Sequence, residues 1–230
     1  MKFKGVLFDK DGTLFDFQKT WITWSARMIE HFSDGNSGRR NAIADAVGFD
    51  LTHQEFDPDS IVIAGTNRQV AECVAAVLPD QNVDQIEGFL MRSSLTATVS
   101  EATPLIPFFQ LLKDNDLKVG VMTNDTEAGA RAHLAAVGAL DLLDFVAGFD
   151  SGFGAKPAPG PLLAFAKVMG LAQDQVAMVG DSTHDLIAGR AAGMHTIGVL
   201  TGLAPHGELA PYADFILPDI SHIPAYLDLS

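Results

Sequence analysis

The segment Lys4-Gly-Val-Leu-Phe-Asp-Lys-Asp-Gly-Thr-Leu-Phe-Asp16 decides how the rest of the chain is read. Gly5 to Phe8 is an apolar run of the length of a buried strand. It stops abruptly at two carboxylates, Asp9 and Asp11, one residue apart, and Gly12-Thr13 then turns the chain. In an open parallel sheet, ligands bind beyond the carboxyl ends of the strands, so both aspartates stand where chemistry is expected. Two carboxylates this close repel each other unless a cation lies between them or one keeps its proton. A shared Mg²⁺ suits oxygen ligands of this kind, and a carboxyl group held protonated is a general acid. The plainer reading is a strand ending in a solvated Asp-Gly turn, and the remaining chain has to choose.

Downstream, strand and helix patterns alternate from residue 104 onward. Leu117–Thr123 reads as a strand ending at Asn124-Asp125, Phe145–Gly148 as a short one, and Val176–Val179 as one ending at Gly180-Asp181. His195–Leu200 and Asp214–Leu217 follow. Helices fill the intervals: one opened by Pro104 and Pro107, Thr126–Val137 closed by Gly138, Pro161–Met169, and one capped by Ser182 or Thr183 and stopped at Gly193. With the N-terminal strand added, this predicts an α/β fold, a doubly wound parallel sheet. Residues 17–96 differ in texture. Trp21, Trp24, Met28 and Phe32 recur at helical spacing, and Arg39–Val47, Asn67–Leu78 and Val83–Leu95 continue the helical pattern with no convincing strand. The expected organisation is therefore an α/β core built from residues 1–16 and 97–230, with a helical domain of residues 17–96 inserted after the first strand.

Composition bounds the function. Of 230 residues, 47% are hydrophobic and 19% charged, which supports a sizeable core and excludes a disordered chain. The net charge of −14 argues against nucleic acid or an anionic membrane as the main partner. It leaves room for a small phosphorylated metabolite, because a metal and one lysine reverse the sign locally. The single cysteine, Cys73, lies in an apolar helical pattern and reads as a buried structural thiol. No basic, apolar leader precedes the first strand and no apolar stretch spans a bilayer, so the expected location is cytoplasmic. The seven histidines are scattered without metal-ligand spacing, which argues against zinc.

The strand ends together form a constellation. The first brings Asp9 and Asp11, the second Thr123 and Asn124, and the fourth Asp181, with Asp185 one helical turn on. After the third comes the glycine-rich Ser151-Gly-Phe-Gly-Ala-Lys-Pro157 with Lys156. Each has an ordinary reading alone: a helix cap, an exposed lysine, an acidic first turn. Jointly they are the groups that phosphoryl transfer needs. A carboxylate attacks phosphorus, a metal and a lysine neutralise the phosphoryl oxygens, and a hydroxyl with backbone N–H groups holds one oxygen.

The four motifs, Asp9-Lys-Asp-Gly-Thr-Leu-Phe-Asp16, Thr123-Asn124, Lys156-Pro157 and Gly180-Asp-Ser-Thr-His-Asp185, resemble the haloacid dehalogenase superfamily in its phosphoglycolate-phosphatase-like branch. The resemblance covers the core and implies a Mg²⁺-dependent phosphatase. Asp9 would be the nucleophile and Asp11 the acid, then the base, with its backbone carbonyl on the metal. Thr123 and the Asn124 backbone would hold phosphate, and Lys156 would bridge phosphate and Asp9. Asp181 would be a direct metal ligand and Asp185 an indirect one. Members that cleave carbon–halogen bonds lack an acid at the Asp11 position, so its presence points to phosphorus. The helical insert would be the cap, hinged near 16–20 and 96–104. Within it Gly65-Thr-Asn-Arg68 resembles the loop that such caps point at the leaving group, with Arg68 a candidate for a substrate carboxylate and a solvated first-turn arginine the alternative. Two other functions share much of this chemistry: a phosphotransferase or sugar-phosphate mutase of the same superfamily, and a receiver-like phosphorylation module without turnover. The sequence leaves the oligomeric state open.

Overall fold

A computed structural model describes residues 3–229; Met1, Lys2 and Ser230, at the extremities of the expected core, lie outside the described residues. The chain divides into two compact units, one formed by the segments up to Phe17 and from Val99 onward, the other by Gln18–Thr98.

The chain opens with strand β1 (Gly5–Phe8), followed by helices α1 (Phe17–Ser33) and α2 (Ser37–Val47). A two-residue hairpin, β2 (Phe49–Asp50) with β3 (Glu55–Phe56), comes next, then α3 (Ile61–Ala64), α4 (Asn67–Val77) and α5 (Val83–Ser94). The hairpin departs from the strandless helical block expected. Two residues per strand are too few to leave an alternating pattern, and the turn is made by the Asp50 carboxylate accepting the N–H groups of Thr52 and His53. Within this unit Trp21 and Trp24 are buried edge to face, ring centroids 5.1 Å apart, and Trp24 Nε1 donates to Ser93 Oγ on α5. Cys73 on α4 is partly exposed rather than buried, a correction to the reading of its apolar surroundings.

The other unit continues with α6 (Leu105–Asp114), β4 (Lys118–Met122), α7 (Glu127–Ala136), β5 (Phe145–Ala147), α8 (Gly160–Met169) and β6 (Val176–Gly180). It ends with α9 (Thr183–Ala191), β7 (His195–Val199), α10 (His206–Leu209), β8 (Phe215–Leu217) and α11 (Ile223–Tyr226). Six strands form one parallel sheet in the order β5-β4-β1-β6-β7-β8. This is the doubly wound α/β sheet read from the alternation of patterns. β1 is central because it is apolar on both faces, as a strand covered by helices on both sides must be. Val6 and Phe8 join Val119, Val121, Ala177 and Val179 on one face, while Leu7 packs with Met122, Met178 and Phe165 on the other. A Cβ at Gly120 would lie 2.7 Å from the Phe165 ring, so β4 carries glycine where α8 crosses it. The chain builds outward from β1 to β4 and β5, then returns to its other side through β6, so the order reverses beside β1. The crevice at such a reversal is where these sheets bind ligands. No helix among the described residues is long and apolar enough to cross a membrane.

Candidate active site

The loop after β1 is shaped by its own backbone. The Asp9 N–H donates to the Val179 carbonyl and extends the ladder to β6; the Gly12 N–H donates forward to the Phe15 carbonyl, and the Leu14 N–H back to the Lys10 carbonyl. Gly12 sits at φ +84°, left-handed backbone that glycine adopts without strain. Asp9 and Asp11 therefore leave a central strand at the reversal point, while Thr13 is turned toward β6, where its hydroxyl donates to Asp181 Oδ1 at 3.0 Å.

Lys156 joins the strand ends. Its Nζ donates to Asp9 Oδ1 at 2.5 Å, to Asp185 Oδ1 at 2.6 Å and to the Met122 carbonyl at 3.0 Å. The other Asp185 oxygen accepts from the N–H and hydroxyl of Ser182, capping α9. Lys156 is held from its backbone: Asn124 Nδ2 donates to the Lys156 carbonyl and Asn124 Oδ1 accepts the Lys156 N–H, both at 2.9 Å, before a cis bond to Pro157. The side chain of Asn124, which sequence reasoning considered only for its backbone, thus fixes the lysine loop. Thr123 is buried beside it, its hydroxyl accepting the Asp125 N–H.

The structure brings together Asp9, Lys156, Asp181 and Asp185, all buried. Asp9, Asp181 and Asp185 each present an oxygen within 4.8 Å of the others. Burial pushes the Asp9 carboxyl up to about 7, against the pull of Lys156 and helped by Asp185 and Asp11. Burial, then Asp9 and Asp185, raise Asp181 well above the ordinary carboxylate range. Lys156 moves upward too: burial opposes its charge, but Asp185 and Asp9 outweigh it. Three buried carboxylates against one lysine leave a deficit of positive charge. A Cβ at Gly12 would lie 2.3 Å from Asp181 Oδ2, and one at Gly202 would fall closer still, so the carboxylate occupies a cradle made by two glycines. Hard oxygen donors, excess negative charge and this cradle fit a divalent cation such as Mg²⁺. Both Asp185 oxygens already bind Lys156 and Ser182, which suits an indirect part for that residue.

Asp11 stands slightly apart. Its Oδ2 lies 3.2 Å from Lys10 Nζ, and its Oδ1 is buried with no hydrogen-bond partner among the described residues. Lys10 is fully buried, its Nζ 2.6 Å from Asp125 Oδ2 and 3.1 Å from His133 Nδ1. None of these three was singled out from the sequence. The one signal was a lysine between two aspartates, which solvent exposure would also explain.

In the helical unit, Arg68 follows Thr66, whose side chain and Gln69 form a reciprocal cap at the start of α4. Its guanidinium donates to Glu72, Asp84 and Glu87, so three carboxylates of the same unit already surround it.

The chain is similar to Pyrophosphatase PpaX of Halalkalibacterium halodurans, 27% identical over 216 residues that cover 90% of this chain and 87% of that protein. It is similar to the phosphoglycolate phosphatase of Rhodospirillum rubrum, 38% identical over 104 residues, 43% of each chain. Among solved structures it shares the fold of CbbY from Rhodobacter sphaeroides in complex with phosphate, with TM-score 0.72, 19% identity, and coverage of 99% of this chain and 100% of that one. The sequence model of the haloacid dehalogenase-like hydrolases matches residues 6–199, and the chain belongs to that family.

Proposed function

We propose that this hydrolase is a Mg²⁺-dependent phosphatase that cleaves a small phosphomonoester through an aspartyl-phosphate on Asp9. The observation that carries this reading is Lys156 Nζ bonded to both Asp9 and Asp185 in a buried cluster with Asp181, one strand away from Thr123. Asp9, through Oδ2, attacks phosphorus and the ester oxygen leaves. Asp11 gives that oxygen its proton and in the second step takes one from the water that attacks the phosphoenzyme. Lys156, the Thr123 hydroxyl and the Asn124 N–H bind the phosphoryl oxygens. Asp9, the Asp11 carbonyl and Asp181 would hold Mg²⁺, with Asp185 supporting indirectly; when bound, the ion supplies charge neutralisation at the phosphoryl group.

The relatives named above are, by their names, a pyrophosphatase and a phosphoglycolate phosphatase. Both of those compounds carry a second anionic group beside the phosphate, and phosphoglycolate is the first substrate to try. We assign substrate selection to the helical unit acting as a cap. Arg68 would take a substrate carboxylate there only by exchanging it for one of its three present partners.

A panel of phosphate esters, including phosphoglycolate, pyrophosphate, a sugar phosphate and p-nitrophenyl phosphate, tests the reading with product analysis. Hydrolysis that requires Mg²⁺, is abolished by EDTA and is lost in Asp9→Asn is expected. An Asp9→Asn protein as active as the wild type refutes the mechanism.

A further inference from the structure

The mechanism above uses Asp11 but does not explain what orients it. Its neighbour Lys10 is a fully buried cation at a place where a loop after a strand would ordinarily put its lysine in water. The ammonium lies between three groups. Asp125 precedes α7 and accepts at 2.6 Å, His133 within α7 offers Nδ1 at 3.1 Å, and Asp11 Oδ2 stands at 3.2 Å. The groups around it are themselves bonded to the core. Asp125 Oδ1 also takes the Thr126 N–H at the start of α7, and the His133 ring meets the buried Phe15 ring edge on, at 83° between planes. The lysine therefore ties the β1 loop to the first turns of α7 and reaches Asp11 from one side only. That leaves Asp11 Oδ1 as the buried oxygen with no hydrogen-bond partner among the described residues.

We propose that Lys10 is a positioning residue for Asp11: its ammonium, anchored by Asp125 and His133, holds Oδ2 so that Oδ1 is the oxygen that gives and takes the proton of the substrate. This rests on the phosphatase reading and deepens it. Lys10 touches no reacting atom; it removes the freedom of the Asp11 carboxylate to rotate away from the leaving oxygen. A misoriented acid matters in proportion to how much the leaving group needs a proton. An alkyl ester expels a basic alkoxide and needs it; p-nitrophenyl phosphate expels a stable phenolate and largely does not.

The test uses the full chain with Mg²⁺ and compares Lys10→Met, which keeps the length of the side chain and removes its charge, with Asp125→Asn and with the double variant. In kcat/KM, Lys10→Met should lose about 100-fold on a simple alkyl phosphate, the lower end of what general acid catalysis supplies, and less than about 10-fold on p-nitrophenyl phosphate. Equal losses on the two esters overturn the proposal. The double variant leaves no unpaired Asp125 charge, so its melting temperature should recover while the alkyl-ester defect persists. Recovery of both would make Lys10 a partner of Asp125 alone and overturn the proposal. A crystal structure of Lys10→Met should find the Asp11 carboxylate rotated from its present orientation; an unmoved carboxylate overturns the assignment. Absence of wild-type hydrolysis on any ester would instead overturn the phosphatase reading, and the crystal structure still decides the part played by Lys10.

Discussion

Asp9 carries the consequence of burying several acids around one lysine. Its carboxyl is pushed up to about 7, chiefly by burial, from an unfolded value near 3.8. A carboxyl with a raised folded pKa favours the fold while protonated, below about 4, and withdraws that support as pH climbs through 7. The Mg²⁺-free protein should therefore lose stability from this group between pH 4 and 7, at most about 1.4 kcal/mol per pH unit. Asp9→Asn, which has no charge to bury, should fall less steeply over the same range in urea titrations. Parallel slopes would contradict the burial argument. That Asp9, Lys156 and Asp181 gather at one edge of the sheet was legible in the sequence, because each follows an apolar strand or a glycine-rich turn. Lys10 was not. Its meaning depends on Asp125 and His133, more than a hundred positions away, and no local pattern announces a buried ammonium.

Among the elements, helices and central strands were readable from periodicity, and their ends from caps. Gly48 closes α2 in left-handed backbone and Thr66 with Gln69 opens α4. What escaped was the work of loops between elements. Asn124, directly after β4, clamps both backbone groups of Lys156 across the sheet ends. Asn124→Ala should leave the lysine chemically intact but poorly placed. Under the proposed mechanism a small displacement of Lys156 is costly, so kcat should fall by about 10-fold or more while the melting temperature changes little. Unchanged kcat would show that Lys156 is held in place without the Asn124 side chain. The loop after β7 escaped for a similar reason. Gly202 lies where any side chain would strike Asp181, and only the folded crossover of β6 and β7 brings it there.

For the molecule as a whole, the sequence changes texture between the alternating apolar runs and the amphipathic helices of residues 17–96. The structure divides into two compact units at Phe17/Gln18 and Thr98/Val99. Among the described residues, the apolar clusters on the two sheet faces are drawn from the core unit, while the helical unit buries side chains of its own, among them Ile43, Val74, Ile86 and Leu90. Leu90→Ala, emptying a buried position on α5, should accelerate amide exchange across the helices of that unit and leave β1, β4 and β6 as protected as before. Uniform loss of protection would mean that the chain opens as one. At the boundary the Asp16 N–H donates to the Ser100 carbonyl at 2.8 Å, and Phe15 bridges Glu101. The outgoing and returning strands of the junction are thus already fastened side by side before the insert begins. Heredity can use such a seam. An entire helical unit can be lengthened, exchanged or lost between residues 17 and 99 with the sutured edges left in register, and the sheet need not be rebuilt around it.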